Sequence, residues 1–376
     1  MRRLPVGLAA LLAAGTPVAT AVATEGLRDD ERVRFHDGLA HPTADGRWRF
    51  CVDAWVFEVE RRPGAAALLA AALGVDRDAL SSDDRARFDT RSRLFLTDDE
   101  RGKRLVVRVQ GVSDALPLPA SDAEGRIRHC VDLATAPPPG RWWRFERIAD
   151  DAIRRAAPEV PPLRALVLPA EGLSVVSDID DTIKDTRVLD RHAMLMNTFV
   201  RPFKPVGGMA AAYRAIDART DASGGENGTR FHYLSGSPHP LYPVLAGFLR
   251  DAAFPEGSLH LREVEVLEDL FGETGTFSHK RAVLDALLAA APARRFVLVG
   301  DSGERDPEIY GATARAWPGR VAAIRIRDVT GESRDAARYA EAFRDLPAGL
   351  WGVFRDAEAL QADAGWRVAV GALDAR

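Results

Sequence analysis

Residues Leu173-Ser174-Val175-Val176-Ser177-Asp178-Ile179-Asp180-Asp181-Thr182-Ile183-Lys184 decide the reading of this chain. A short apolar, β-branched run breaks off into acids and hydroxyls, as a buried strand does when its carboxyl end opens at a sheet edge. Further runs of this kind follow at Phe231 to Leu234, Phe296 to Gly300 and Val321 to Ile326, separated by helix-like stretches. Alternation of that sort predicts a parallel sheet with helices on both faces. Ligands of open α/β sheets bind beyond the carboxyl ends of the strands, so the residues after each run carry the functional information. After the second run stand Ser235-Gly236-Ser237-Pro238, and after the third Asp301-Ser302-Gly303-Glu304-Arg305-Asp306-Pro307. His279-Lys280 opens a helix before the third run. One acidic strand end is an ordinary capping signal. Three in one sheet, with a lysine, point to a site.

Upstream the texture differs. Segments Arg47 to Phe57, Arg104 to Val109, Arg126 to Leu133 and Trp142 to Ile148 alternate apolar and polar residues at period two and read as strands. Gly64 to Ala70 interrupts them with helical composition that ends near Gly74. This half reads as a small β-rich sandwich. Pro137-Pro138-Pro139-Gly140 marks a turn, and Pro158 to Pro162 approaches a boundary near residue 165. Ser223 to Gly228 is glycine-rich but lacks the spacing of a phosphate cradle, so it reads as a surface loop.

The chain has 376 residues, 46% hydrophobic and 28% charged, with a formal charge of -4, which suits two globular domains and gives no basic signature for nucleic acid. Lys103, Lys184, Lys204 and Lys280 are its only lysines among 51 basic residues, so each invites a role arginine would not fill. Arg2-Arg3, an apolar run from Leu4 to Ala14 and Ala21-Val22-Ala23 have the order of a secretory signal cleaved after Ala23. The expected organisation is therefore a signal peptide at 1–23, a β-rich domain at 24–165 and an α/β domain at 166–376, exported to the periplasm or beyond the cell.

The two cysteines suit that destination. Both lie in Arg-x-Cys-x-Asp, as Arg49-Phe50-Cys51-Val52-Asp53 and Arg128-His129-Cys130-Val131-Asp132. On antiparallel strands with the cysteines opposite, Arg49 faces Asp132 and Asp53 faces Arg128; parallel pairing would set like charges together. The expectation is an antiparallel pair bridged through Cys51 and Cys130.

Together the acidic strand ends, the Ser-Gly-Ser turn and His279-Lys280 resemble the four motifs of the haloacid dehalogenase-like phosphatase superfamily. The stretches Ser177 to Lys184, Tyr233 to Pro238, His279-Lys280, and Gly300-Asp301-Ser302-Gly303 through Asp306 to Tyr310 are similar to the actin-patch-associated phosphatidate phosphatase family. The resemblance spans roughly residues 165 to 330, and Trp55-Val56-Phe57-Glu58 is similar to an upstream segment of its bacterial members. It implies a magnesium-dependent phosphomonoesterase working through an aspartyl-phosphate on phosphatidate or a related lipid phosphate at a membrane surface, with no stable protein partner. A soluble or protein phosphate as substrate, and a non-catalytic phosphatidate-binding module, are the alternatives.

The residue chemistry agrees with that implication. Asp178 fits the nucleophile, and Asp180, two residues on, the acid that protonates the leaving oxygen and then activates water. Lys280 suits a point charge over Asp178 and the phosphoryl group, with His279 a bystander. Thr182 is expected to brace the loop and Asp181 to be solvated or capping. Pro238 at a first helical turn makes Ser237 its N-cap and leaves Ser235, with Gly236, to face phosphate. By the same logic Asp306 caps a helix before Pro307 while adding to a metal set of Asp178, Asp180 and Asp301, for which Mg2+ is the natural hard, oxygen-seeking ion.

Overall fold

A computed structural model describes residues 26–59, 64–148, 163–222, 228–263 and 273–371. The expected signal segment at 1–23, the Pro158–Pro162 boundary and most of the Ser223–Gly228 loop lie outside the described residues.

The first half contributes β1 (Glu31–Pro42), β2 (Trp48–Val59), β3 (Thr97–Asp99), β4 (Val106–Val109), β5 (Ala115–Pro117), β6 (Arg126–Leu133), β7 (Trp142–Ile148) and β8 (Arg164–Val167). They form one curled eight-stranded sheet in the order β3-β2-β1-β8-β7-β4-β5, with β6 paired to β2. A sandwich was expected from these strands; what is seen is one continuous curled sheet, in which the β1–β8 pair is parallel. Period two places Phe50, Val52 and Ala54 inside, packed with Phe35, Trp143 and Phe145, while Arg49, Cys51 and Asp53 face outward. The β2–β6 register is antiparallel with Cys51 opposite Cys130, Arg49 opposite Asp132 and Asp53 opposite Arg128. The cysteines are bridged, their Cα atoms 4.0 Å apart. Arg49 grips Asp132 through two hydrogen bonds of 2.7 and 2.8 Å. The sheet claims residues as far as Val167, just past the expected boundary.

The second half contributes β9 (Leu173–Ser177), β10 (Arg230–Pro238), β11 (Gly257–Arg262), β12 (Arg295–Asp301), β13 (Val321–Arg327) and β14 (Trp351–Phe354). All pair in parallel, in the order β11-β10-β9-β12-β13-β14. Alternate residues serve opposite faces. Val175, Val297 and Val299 pack with helices Met209–Ala222 and Tyr242–Asp251, whereas Val176, Phe296 and Leu298 pack with helices Glu273–Ala290 and Asp306–Ala316. Burial on both sides is why these strands read as unbroken apolar runs. β9 lies between β10 and β12, so the ends of all three motif-bearing strands meet at one edge.

Two helices of the first half, Ala65–Ala72 and Ser82–Arg93, leave their own sheet. Leu69, Leu73 and Phe88 instead join Leu195, Phe199 and Val200 of the helical stretch 191–200 in a separate cluster. Ser81 caps the longer helix through the Asp84 amide at 3.2 Å. Its polar sequence, Ser-Asp-Asp-Arg-Ala-Arg-Phe-Asp, hid it from a search for apolar periodicity.

Candidate active site

Asp178 follows directly on β9, whose ladder is prolonged by the Asp178 amide donating to the Val299 carbonyl at 2.8 Å. Its carboxylate is wholly buried. Oδ1 accepts from Lys280 Nζ at 2.8 Å, and Oδ2 has no hydrogen-bond partner among the described residues. Lys280, also wholly buried, reaches Asp306 Oδ1 at 2.7 Å and Glu304 Oε2 at 2.9 Å as well. One ammonium therefore serves three carboxylates. Burial alone would lower the Lys280 pKa, but Asp178, Asp306 and Glu304 reverse this and hold it well above its ordinary value.

Asp301 ends β12, with Oδ2 accepting from the Gly303 amide at 2.6 Å and Oδ1, buried, without a partner among the described residues. Asp306 is the first residue of helix Asp306–Ala316 rather than its N-cap, a place Arg305 takes. Its carboxylate turns inward, where Oδ2 accepts from the Asp301 amide at 3.3 Å. The approach needs Gly300: a Cβ there would stand 2.2 Å from Asp306 Oδ2. Burial, then repulsion among neighbouring acids, raises both Asp178 and Asp301 well above the usual carboxylate range, with Lys280 opposing. Asp178, Asp301 and Asp306 each offer an oxygen within 4.8 Å of the others, a group that could hold a metal ion. Two of these acids carry oxygens that nothing among the described residues satisfies. A hard divalent cation fits such a donor set, since it would supply charge that Lys280 cannot provide alone.

Asp180 is placed differently from the sequence expectation. Its carboxylate stands outside the acidic group and is held by four donors: Lys184 Nζ at 2.7 Å and Thr186 Oγ1 at 2.7 Å on Oδ1, Ser235 Oγ at 2.8 Å and Ser237 Oγ at 3.0 Å on Oδ2. Burial raises its pKa, but Lys184, Thr186 and Ser235 outweigh burial and keep Asp180 below the ordinary carboxylate range. Its side chain is thus a firmly ionised acceptor in this geometry, not a fourth member of the metal group.

The hydroxyl assignments also change. Ser237 is not an N-cap: β10 runs through Pro238, which precedes a short helical turn without a side-chain cap. Ser237 and Gly236 line a cavity of about 530 Å3 beside Asp180 and Glu304, whereas the wholly buried Ser235 supports from behind, accepting the Ser237 amide at 2.9 Å. The buried Thr182 Oγ1 has no hydrogen-bond partner among the described residues. Asp181 caps as expected but is buried rather than solvated. At a φ of 57° it gathers the amides of Thr186, Arg187 and Val188 at 2.6 to 2.8 Å. His279 stands outside this cavity. Glu304, Lys184 and Thr186 were not assigned from sequence. Only Lys184 left a signal, the rarity of lysine.

Residues 173–328 match the family model described as phosphatidate phosphatase APP1, catalytic domain. The chain is 32% identical over 175 residues to phosphatidate phosphatase APP1 of Saccharomyces cerevisiae, a match covering 45% of this chain and 28% of that protein. It is 32% identical over 188 residues to an uncharacterized protein of Schizosaccharomyces pombe, covering 49% of this chain and 29% of that one. The chain thus spans under a third of the length of these curated relatives. A solved carbohydrate esterase structure aligns over 92% of the chain at 10% identity with a TM-score of 0.25, too low to inform the fold.

Proposed function

We propose, from the match of residues 173–328 to the phosphatidate phosphatase APP1 catalytic-domain model, that the chain is a phosphatidate phosphatase-like hydrolase with a haloacid dehalogenase-like catalytic domain. The observation that carries the reading is Asp178, one oxygen tied to Lys280 and the other free at a strand end beside Asp301 and Asp306.

In this proposal Asp178 Oδ2 attacks phosphorus, the bond to the ester oxygen breaks, and an aspartyl-phosphate forms. Lys280 fixes the aspartate rotamer and neutralises charge on the phosphoryl oxygens. Asp178, Asp301 and Asp306 would hold Mg2+, which offsets the repulsion between a carboxylate and a phosphate dianion. Ser237 and Gly236 line the phosphate side of the cavity. A phosphate that draws the Ser237 hydroxyl away removes one of the four donors on Asp180, which then takes up a proton more readily. Asp180 so protonated delivers that proton to the leaving alkoxide, and regains one from the water that cleaves the aspartyl-phosphate.

The lipid substrate is proposed from the name of the yeast relative and from the cavity beside the acids. Export is proposed from the amino-terminal order of residues, and the Cys51–Cys130 bridge supports it, because such bridges persist in oxidising compartments. Among the described residues no helix is long and apolar enough to cross a membrane. Release of phosphate from p-nitrophenyl phosphate tests the chemistry. Asp178→Asn should lose it while keeping the circular dichroism of the parent, and full turnover by that variant, with deamidation excluded by mass, would remove Asp178 as nucleophile.

A further inference from the structure

The cavity beside the acids has a mixed lining. Asp180, Ser237 and Glu304 bring polar groups to it, whereas Val188, Met194, Phe199, Pro238 and Leu241 bring apolar ones. Arg191, Arg305 and Arg338 also line it, beside Glu304 and Glu308. A small soluble phosphate ester has nothing to set against such a wall. A phosphate carrying hydrocarbon does.

Between Val188 and Arg191 in the chain stands Leu189, one of four large apolar side chains exposed among the described residues, at 61% exposure. Exposed Arg187 and Arg191 lie two residues to either side of it, Arg187 3.6 Å from Asp185, while the adjacent Asp190 turns to cap the next helix through the Ala193 amide. An apolar tip between two cations suits the boundary of an anionic lipid surface, where the leucine enters the acyl region and the arginines stay with the phosphates.

The wall is held from the other half of the molecule. Met194 and Phe199 belong to the helical stretch 191–200, and they pack with Leu69, Leu73 and Phe88 of the two helices that leave the curled sheet. Carbonyls at the end of that stretch would lack partners, and two arginines of helix Ser82–Arg93 supply them. Arg91 donates to the Thr198 carbonyl at 2.8 Å and the Arg201 carbonyl at 2.9 Å, and Arg87 to the Val200 carbonyl at 2.7 Å. Arg91 is buried, its guanidinium 3.9 Å from the centre of the Phe203 ring. The curled-sheet half therefore sets the position of one wall of the cleft.

We infer that the apolar wall formed by Val188, Met194, Phe199 and Leu241 receives the acyl part of a lipid phosphate whose phosphate lies at Asp178, that Leu189 enters the lipid surface, and that helix Ser82–Arg93 positions this wall through Arg91. The inference rests on the phosphatase reading above and adds to it the surface that selects acylated substrates.

The test compares long-chain phosphatidate in detergent mixed micelles with glycerol 3-phosphate, which carries the same phosphoryl linkage without acyl chains, using the full chain. Met194→Gln keeps side-chain length and removes apolarity. It should lower the ratio of kcat/KM for phosphatidate to that for glycerol 3-phosphate about tenfold, mainly through KM. Arg91→Met should raise KM for phosphatidate with little change in kcat, the mark of a displaced wall rather than damaged chemistry, and Arg91→Lys should recover part of the loss by bonding one of the two carbonyls. An unchanged ratio in Met194→Gln overturns the inference, as does a parent protein that cleaves glycerol 3-phosphate but no phosphatidate. If the parent cleaves no phosphate ester, the phosphatase reading fails instead. Sedimentation with phosphatidylcholine vesicles containing phosphatidate then decides the wall: weaker binding by Leu189→Gln and Met194→Gln upholds it, and equal binding overturns it.

Discussion

Removing the bridge between Cys51 and Cys130 gives a stability change that can be worked from the structure. The cysteines lie directly opposite on the outward face of β2 and β6 and are 79 residues apart in sequence. In the chain-entropy treatment, freeing a loop of that length returns about 15 cal/mol/K to the unfolded chain, or about 4.5 kcal/mol at 25 °C. The pair sits away from the core that holds Phe50, Val52 and Ala54, so a Cys51→Ser, Cys130→Ser double variant opens no cavity to confuse the result. The Arg49–Asp132 pair beside it is solvated and should not compensate, since exposed ion pairs contribute little. Urea unfolding of the parent and the double variant, followed by tryptophan fluorescence, measures the difference. A loss of about 4 to 5 kcal/mol is expected. A loss under about 1 kcal/mol would refute the loop-closure reasoning and show that the unfolded chain is already restricted without the bridge.

Lys280→Met should reduce turnover by at least about 100-fold, and Lys280→Arg should not restore it, because a planar fork cannot replace a point charge 2.7 to 2.9 Å from three carboxylates; steady-state phosphate release checks both. Chelation should abolish activity and added Mg2+ should return it, with calorimetry showing weaker Mg2+ binding by Asp301→Asn than by the parent. His232, buried between the Ser174 and Ser258 hydroxyls, has its pKa pushed well below the ordinary value by burial, so only the unfolded chain gains its proton near pH 6.5. The parent should therefore lose stability relative to His232→Gln as pH falls below that value, by about 1.4 kcal/mol per pH unit; parallel stability curves from urea unfolding at pH 7, 6 and 5 would contradict this.

The parallel sheet was legible because its strands are buried on both faces: Leu173 to Ser177 emerged with its observed bounds, and Val321 to Ile326 fell one residue short. β11, β14 and helix Ser82–Arg93 were missed. β11 is interrupted by Ser258 and His260, β14 is four residues long, and the helix is polar along most of its length, buried mainly through Phe88, Arg91 and Ser92 against a distant part of the chain. The cysteine register was readable since complementary charges at period two distinguish antiparallel from parallel pairing. At the site, residue types and spacing brought Asp178, Lys280, Asp301 and Asp306 to attention, and the fold brings them together. Side-chain direction was not readable. Ser235 and Ser237 share Asp180 rather than divide into phosphate ligand and helix cap, because β10 continues through Pro238. Asp306 looks like a cap in sequence and turns inward only because Gly300 leaves room for it.

The central claim is tested most directly by incubating the purified chain with phosphatidate in mixed micelles and Mg2+, and measuring orthophosphate and diacylglycerol together. The account predicts that both appear in equal amounts with the parent protein and neither with Asp178→Asn. Equal release by parent and variant would contradict the assignment of Asp178, and release of neither product by the parent would contradict phosphatidate hydrolysis itself.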